Sequence, residues 1–265
     1  MLILSACTME KKLGKEFLSM TPQISIEVYT PETLYKFSHK GEKIPGFDSL
    51  PGSQQDSALF ANSSFIRFVD DSTFLDKYVN TFIDELRRIG FRVFVNSNLD
   101  TSLQNKPQTY VVNMSQVQLD EYFQLYEDSE QVGDTEFYKS FELNSVDASS
   151  WFELSKYNVE KPVKTVLYST FTASDGITGN FTMNNFTMNL HYRYKIDSLK
   201  LNDIYDLASF SGQRDANYLY DYFMNQFISY HMPENIDIMG YLHYSPSLRT
   251  FNFTDDEKFE VLNSK

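Results

Sequence analysis

The sequence predicts an α+β fold, in which a mixed, mainly antiparallel sheet carries two main helices packed on one face. Three observations support this prediction. The aromatic residues are dominated by 23 Phe and 18 Tyr, both of which favour strands. Several segments alternate apolar and polar residues, the period-two pattern of a strand with one buried side. Two further segments repeat apolar residues at helical spacing.

Strands are predicted where this alternation occurs or where β-branched and aromatic residues cluster. The clearest alternation places Tyr192 and Tyr194 on one face and His191 and Arg193 on the other, so we expect one buried and one solvated face. The predicted strands are residues 23–29, 65–69, 91–95, 110–119, 136–146, 163–173, 187–197, 241–244 and 248–253. Residues 38–56 are rich in glycine and proline and are predicted to form a long loop.

Both predicted helices have an apolar stripe with clear start or stop signals. The first begins at Ser72 or Thr73, either of which can cap an N-terminus, and ends before Gly90. The second covers residues 203–231, with a break expected near Gly212. Helices and strands together predict a single domain.

Three regions are predicted along the chain. Residues 1–21 read as the remnant of a signal segment, a modified cysteine and a polar tether. Residues 22–254 form the one α+β domain, because no linker or internal repeat interrupts them. Residues 255–265 form an acidic, loose tail.

Composition excludes several classes of function. The formal net charge is −13, and such a field repels a phosphate backbone, so we expect no nucleic-acid partner. A single cysteine allows neither an internal disulfide nor a thiolate zinc site. No phosphate-binding glycine loop or serine nucleophile elbow is present. The four histidines lack the spacing of a zinc motif, so we expect no metal site; they are His39, His191, His231 and His243. Because these motifs are missing from the sequence, we also expect no cofactor, no catalytic residues and no enzyme activity.

The segment Leu4-Ser5-Ala6-Cys7 resembles the lipobox of bacterial lipoproteins, of the type found in Bacteroidota. The resemblance implies that Cys7 carries acyl chains, becomes the mature N-terminus and attaches the protein to a membrane. Two or more chains give stable attachment, whereas one is marginal. Only six residues precede Cys7 and none is basic, so either the signal segment begins upstream or Cys7 is a free cysteine.

The residues after Cys7 bear on location. In the lipoprotein family, an Asp directly after the cysteine retains the protein in the inner membrane. Thr8 occupies that position here, so the resemblance implies the outer membrane. Surface-exported members carry adjacent acidic residues soon after the cysteine. Residues 8–12 lack them, which favours the periplasmic face.

A second resemblance concerns residues 60–120, where a helix ends in Leu86-Arg87-Arg88-Ile89-Gly90-Phe91-x-Val93. This organisation is similar to the outer-membrane lipoproteins of lipopolysaccharide assembly and to auxiliary lipoproteins of ABC-type lipid transport. It implies a non-catalytic accessory or scaffold that binds an envelope protein.

Two other functions remain open. The chain can be a surface glycan-binding lipoprotein, since Trp151 and Phe152 are candidates for contact with a glycan or a partner. The alternative for these two side chains is that they anchor the core at a strand edge. The third class is a hydrolase, which requires carboxylates or histidines that converge in a cleft.

Overall fold

The computed structural model describes residues 3–96, 108–157, 164–183 and 190–262, with side chains from residue 9 onwards. Its helices are α1 (Ile3–Met20), α2 (Gly52–Asn62), α3 (Asp71–Ile89) and α4 (Leu201–His231). Its strands are β1 (Ser25–Tyr29), β2 (Leu34–Ser38), β3 (Arg92–Val95), β4 (Thr109–Val132), β5 (Thr135–Lys156), β6 (Thr165–Ser174), β7 (Gly176–Met183), β8 (Leu190–Asp197), β9 (Tyr241–Ser245), β10 (Thr250–Thr254) and β11 (Glu260–Leu262).

The main sheet is mixed, with the order β11-β6-β5-β4-β1-β3, and β2 pairs with β4 beyond β1. β1 and β2 run parallel to β4, and β3 runs parallel to β1. The β4–β5, β5–β6 and β6–β11 pairs are antiparallel. Two hairpins, β7–β8 and β9–β10, form separate two-stranded sheets. The predicted α+β class with a mixed, mainly antiparallel sheet is confirmed.

Helices α3 and α4 pack on one face of this sheet, as predicted. Phe82 of α3 stacks on Phe152 of β5 with ring centroids 5.5 Å apart. From β6, Ser169 donates a 2.6 Å hydrogen bond to Asp215 of α4. Aromatic stacking and a buried polar bond therefore fix both helices to the same side of β5 and β6.

Helix α4 is continuous, so the predicted break near Gly212 is wrong. Gly212 lies where α4 crosses α3, and a Cβ added there would sit 2.3 Å from the carbonyl oxygen of Tyr78. The glycine therefore allows two backbones to approach closely rather than ending the helix.

The predicted tether is wrong for residues 9–20, which belong to α1. Leu13 and Phe17 are buried in the core, and the ring of Phe17 lies 5.4 Å from that of Tyr220. Glu10 accepts a hydrogen bond from the backbone N–H of Met239. The residues that α1 contacts lie more than 200 residues away along the chain, so the polarity of residues 9–20 alone could not predict that this segment packs in the core.

The start of α3 and the segment before it also differ from prediction. The N-cap is Asp70, whose Oδ1 accepts the backbone N–H of Thr73 at 2.8 Å. The helix ends at Gly90 with a φ of 120°, as the glycine predicted. The predicted strand at 65–69 is instead a 3-10 helix, Ile66–Phe68.

A buried ion pair explains that 3-10 helix. Glu121 of β4 is fully buried and accepts the backbone N–H groups of Ser64, Phe65 and Ile66, and its Oε1 lies 2.6 Å from Lys40 Nζ. Burial alone would raise the pKa of Glu121, but Lys40 and the three N–H groups outweigh it and lower the pKa. The carboxylate thus holds the chain in a helical turn.

The predicted long loop at 38–56 is partly ordered into regular structure. It contains two 3-10 helices, Gly41–Lys43 and Phe47–Ser49, and α2 begins at its end.

Strands β4 and β5 extend well beyond the predicted segments at 110–119 and 136–146. They form a hairpin whose outer part, residues 125–142, projects past the other strands of the main sheet, and we call it the arm. The arm reverses at Gly133, which has a φ of 61° at the first of two turn positions.

The β7–β8 hairpin packs against the arm. The rings of Tyr194 and Phe141 lie 4.5 Å apart, and Tyr192 donates a 2.8 Å hydrogen bond to Asp128. Of the predicted strand at 187–197, residues 187–189 lie outside the described residues, and β8 covers the rest. Its predicted buried face is wrong, because Tyr194 and Ile196 are 54% and 38% exposed.

The tail is not loose in its described part. Phe259 is buried against Phe152, with ring centroids 5.2 Å apart, and β11 pairs with β6. Between β10 and this last strand, Glu257 accepts a 2.7 Å hydrogen bond from Arg214 of α4. Within the described ranges, no helix is long and apolar enough to cross a membrane.

Candidate functional site

The predicted lipobox residues lie in α1. Leu4, Ser5, Ala6 and Cys7 are helical, but their side chains fall outside the described part of the chain. Acylation of Cys7 therefore stays a prediction.

The structure separates the two predicted contact residues. Phe152 faces the helices, is 1% exposed and belongs to the core, so of the two alternatives the core anchor is confirmed for Phe152 and contact with a glycan or partner is wrong. Trp151 faces the other side of β5 and is partly exposed. Strand alternation could have shown this, since even-numbered residues from Val146 to Leu154 are mostly apolar and odd-numbered ones mostly polar.

The side of β2, β4, β5 and β6 that faces away from α3 and α4 forms a broad surface, which we call the open face. Register fixes its membership, because directly paired residues share a face. Gln118 of β4, for example, pairs with Tyr35 of β2 and with Ser149 of β5, which pairs in turn with Thr170 of β6. The members of the open face are Tyr35, Phe37, His39, Gln116, Gln118, Asp120, Tyr122, Asp147, Ser149, Trp151, Tyr168, Thr170 and Thr172.

Aromatic side chains stand at both edges of the open face. Trp151 and Tyr168 are cross-strand partners with ring centroids 4.9 Å apart. Tyr35 and Phe37 on β2 are each 44% exposed. Neighbouring strands lie about 4.8 Å apart, so β2 and β6 are separated by about 14 Å across three strand gaps. The two aromatic groups can therefore contact the two ends of one extended ligand.

A chain of hydrogen bonds runs along β4 between these edges. Gln116 Nε2 donates to Gln118 Oε1 at 2.8 Å, and Gln118 Nε2 donates to Asp120 Oδ2 at 2.6 Å. His39 Nε2 lies 2.8 Å from the other oxygen, Asp120 Oδ1. Each side chain is held in one orientation by its neighbour, which reduces the entropy lost when a ligand binds.

A second polar group lies on β5 and β6. Asp147 Oδ1 accepts hydrogen bonds from Thr172 Oγ1 at 2.6 Å and from Tyr122 OH at 3.1 Å. Ser149 Oγ donates to Thr170 Oγ1 at 3.1 Å. Burial and the charge of Asp147 raise the pKa of Tyr122, so its hydroxyl remains a donor. Among the described residues, Asp147 Oδ2 takes no hydrogen bond and can accept one from a ligand.

The open face is acidic. Asp120 and Asp147 are register partners on β4 and β5, so their side chains point to the same side. Glu153, two residues beyond Trp151, is neutralised by Lys164 at 2.6 Å. The face therefore attracts hydroxyl donors and repels anionic ligands.

Beneath the sheet, Asp215 of α4 anchors the helix layer. It is fully buried and accepts 2.6 Å hydrogen bonds from Tyr78 OH and Ser169 Oγ. Burial raises the pKa of Asp215 to about 7, although the two hydrogen bonds lower it. The partners of Asp215 lie on the helix side of the sheet and not on the open face, so we expect Asp215 to affect the stability of the fold and not ligand binding.

A second buried carboxylate joins α4 to β9. Asp221 Oδ2 lies 2.5 Å from His243 Nδ1, and Asp221 Oδ1 accepts the backbone N–H of Tyr244. Burial raises the pKa of Asp221 to about 6, and the bond to Asp221 raises the pKa of His243. The backbone bond shows that the pair positions the β9–β10 hairpin.

Within the four described ranges, no group of three or more His, Cys, Asp or Glu side chains could hold a metal ion.

Comparisons with known proteins place this geometry in no family. No protein-family model matches the chain, and no curated protein matches it. Among solved structures, the chain is similar to one from Helicobacter pylori described as a neuraminyllactose-binding hemagglutinin homologue. The identity is 10%, the match covers 80% of this chain and 92% of that chain, and the TM-score is 0.34. A likeness at this level carries no information about what the present chain binds.

Proposed function

We propose that this chain is a non-catalytic carbohydrate-binding protein that holds a neutral oligosaccharide on its open face. The observation that carries the proposal is the combination, on one exposed face, of the Trp151–Tyr168 pair with a fixed row of amides and carboxylates. Aromatic rings cover the apolar faces of sugar rings, while amide and carboxylate groups pair with hydroxyls.

The aromatic groups supply most of the affinity. Trp151 and Tyr168 present rigid, partly exposed apolar surface with few rotatable bonds, and Tyr35 and Phe37 repeat this at the far edge. A ligand that spans about 14 Å from edge to edge passes over the polar row on β4 and β5. A short oligosaccharide therefore fits better than a single sugar.

The charge of the face favours neutral ligands. Asp120 and Asp147 point to the same side, and the chain carries a net charge of −13. A glycan that carries a carboxylate or sulfate would be repelled, whereas hydroxyl groups donate readily to carboxylate oxygens.

The proposal is tested on a glycan array that holds neutral glycans beside matched sialylated ones, followed by calorimetry on the best neutral ligand. Trp151→Ala should weaken binding by about tenfold, because a stacking contact is worth about 0.5–1.5 kcal/mol beyond its buried area. Tyr138→Ser is the matched control, since Tyr138 is 70% exposed on the arm, away from the open face. This control variant should bind like the parent.

Two results would contradict the proposal. One is that no glycan binds the intact chain. The other is that Trp151→Ala and Tyr138→Ser reduce binding equally.

A second function, the accessory role at the envelope, is favoured by the arm. Leu125 is 61% exposed and Tyr138 is 70% exposed on a hairpin that projects past the main sheet. Apolar side chains on an element that projects from the sheet are accessible to a partner protein. For this function Tyr138→Ser is the test variant and Trp151→Ala is the control. A membrane-protein partner that the parent captures in mild detergent should be lost with Tyr138→Ser and kept with Trp151→Ala.

Both functions are proposed for a protein anchored to an outer membrane through acyl chains on Cys7, at the periplasmic face for the accessory role and at the cell surface for glycan binding. The support comes from the lipobox pattern of Leu4, Ser5 and Ala6 before that cysteine. Because Glu10 and Leu13 of α1 are buried in the domain, such an anchor would hold the body of the protein close to the membrane surface.

A further inference from the structure

A cavity of about 830 Å³ lies at the end of the sheet opposite the arm, between α1 and the C-terminal half of α4. Its walls are mainly apolar. Phe17 of α1, Leu154 of β5, and Phe223 and Phe227 of α4 line it. This volume is within the range of sites that enclose a small molecule, roughly 300–1,000 Å³. None of its described lining residues belongs to the open face, so we treat it as a separate site.

The charged side chain on the wall of this cavity, Lys156, has the opposite sign to the net charge of the chain. Lys156 at the end of β5 and His231 at the end of α4 line it, and none of its described lining residues is Asp or Glu. Lys156 forms no ion pair within the described part of the chain. His231 Nδ1 lies 2.8 Å from the carbonyl oxygen of Phe227, so that nitrogen donates its hydrogen and Nε2 is left for a ligand.

A cation beside an apolar cavity is unexpected in a chain with 36 acidic and 23 basic residues. Because Lys156 has no partner among the described residues, it offers an anion a binding position, and the aromatic walls offer a place for a hydrocarbon chain. Both requirements are met by one class of compound, an unbranched long-chain carboxylate.

We propose that this cavity binds a long-chain fatty acid, with its alkyl chain against the wall that Phe17 and Phe227 form together and its carboxylate at Lys156. The alkyl chain is buried against aromatic and aliphatic side chains, and the carboxylate pairs with Lys156. This site is independent of the oligosaccharide site, and either can exist without the other.

The test is calorimetry on the delipidated full chain with saturated fatty acids of increasing length, below the concentration at which they form micelles. Each added CH₂ should tighten binding by about fourfold until the cavity is filled. The methyl ester of the best acid should bind about fivefold more weakly, because it lacks the charge that pairs with the exposed Lys156.

Two variants assign the binding to this cavity. Lys156→Met should reduce binding of the acid to that of the ester, whereas Lys195→Met, at an exposed position on β8, should leave it unchanged. Gln226→Trp fills the mouth of the cavity from an exposed position of α4, so it should weaken binding more than tenfold while the chain still folds.

Three outcomes would overturn the inference. The first is the absence of saturable binding at every chain length. The second is equal affinity for acid and ester, which would mean that the cavity takes neutral apolar ligands. The third is unchanged binding in Gln226→Trp, with folding verified by thermal unfolding, which would place the fatty acid elsewhere on the surface.

Discussion

Replacing the buried Asp215 by Asn should change how stability depends on pH. Asp215 receives hydrogen bonds from Tyr78 and Ser169 and is surrounded by α3, α4 and the sheet. Asparagine has the same shape as a protonated aspartic acid and cannot ionise. The variant therefore reports the stability of a protein in which this position is always neutral.

The magnitude follows from the pKa of Asp215, which is about 7 in the folded chain against an ordinary value of 3.8. Because the folded-state pKa is raised, the folded state binds more protons between these values, and stability is lost as the pH rises through them. One unit is worth about 1.4 kcal/mol, so ionisation costs about 4 kcal/mol in all, of which about 3 kcal/mol falls between pH ~5 and ~8.

Urea unfolding of the parent and of Asp215→Asn, at about pH 5 and about pH 8, measures how much stability the ionisation of Asp215 costs. The parent should lose about 3 kcal/mol more than the variant between the two conditions. Asp221 and His243 also favour the protonated state when folded, but they are present in both proteins and cancel in the difference. If parent and variant differ by the same free energy at both pH values, the buried carboxyl does not titrate as described.

Two other predictions concern the N-terminal helix. Phe17→Ala should lower the free energy of unfolding by about 3–5 kcal/mol, because Phe17 is a buried core side chain; a loss below about 1 kcal/mol in urea unfolding would mean that α1 is dispensable for the core. Cys7→Ser, expressed in a bacterium that processes lipoproteins, should move the protein from the membrane fraction to the soluble fraction, and unchanged membrane attachment would contradict the proposed anchor.

The sequence predicted those elements whose pattern is local. The apolar stripe of α3 and its glycine stop identified that helix, and Pro233 marked the end of α4. It did not predict α1, because the side chains that bury Phe17 belong to α4, and those near Gly14 belong to β9 and β10. Whether such a helix forms depends on tertiary packing and not on its helix propensity.

The open face was only half predictable. Trp151 stood out as the one tryptophan, but its partners come from three other strands that are brought together only by register. The bulge between Met114 and Gln116 also exchanges the faces of β4, so alternation read along that strand assigns residues on one side of the bulge to the wrong face. Trp151 and Phe152 were treated together, as contact residues or as core anchors, although adjacent strand residues point to opposite sides.

The sole tryptophan of the chain lies within the proposed oligosaccharide site, so its fluorescence tests the central claim directly. Titration of the intact protein with the best neutral glycan should give a saturable change in Trp151 emission and protect the indole from quenching by acrylamide, with the affinity measured by calorimetry. Saturable glycan binding that leaves both the emission and the quenching of Trp151 unchanged would place the ligand elsewhere and contradict the account.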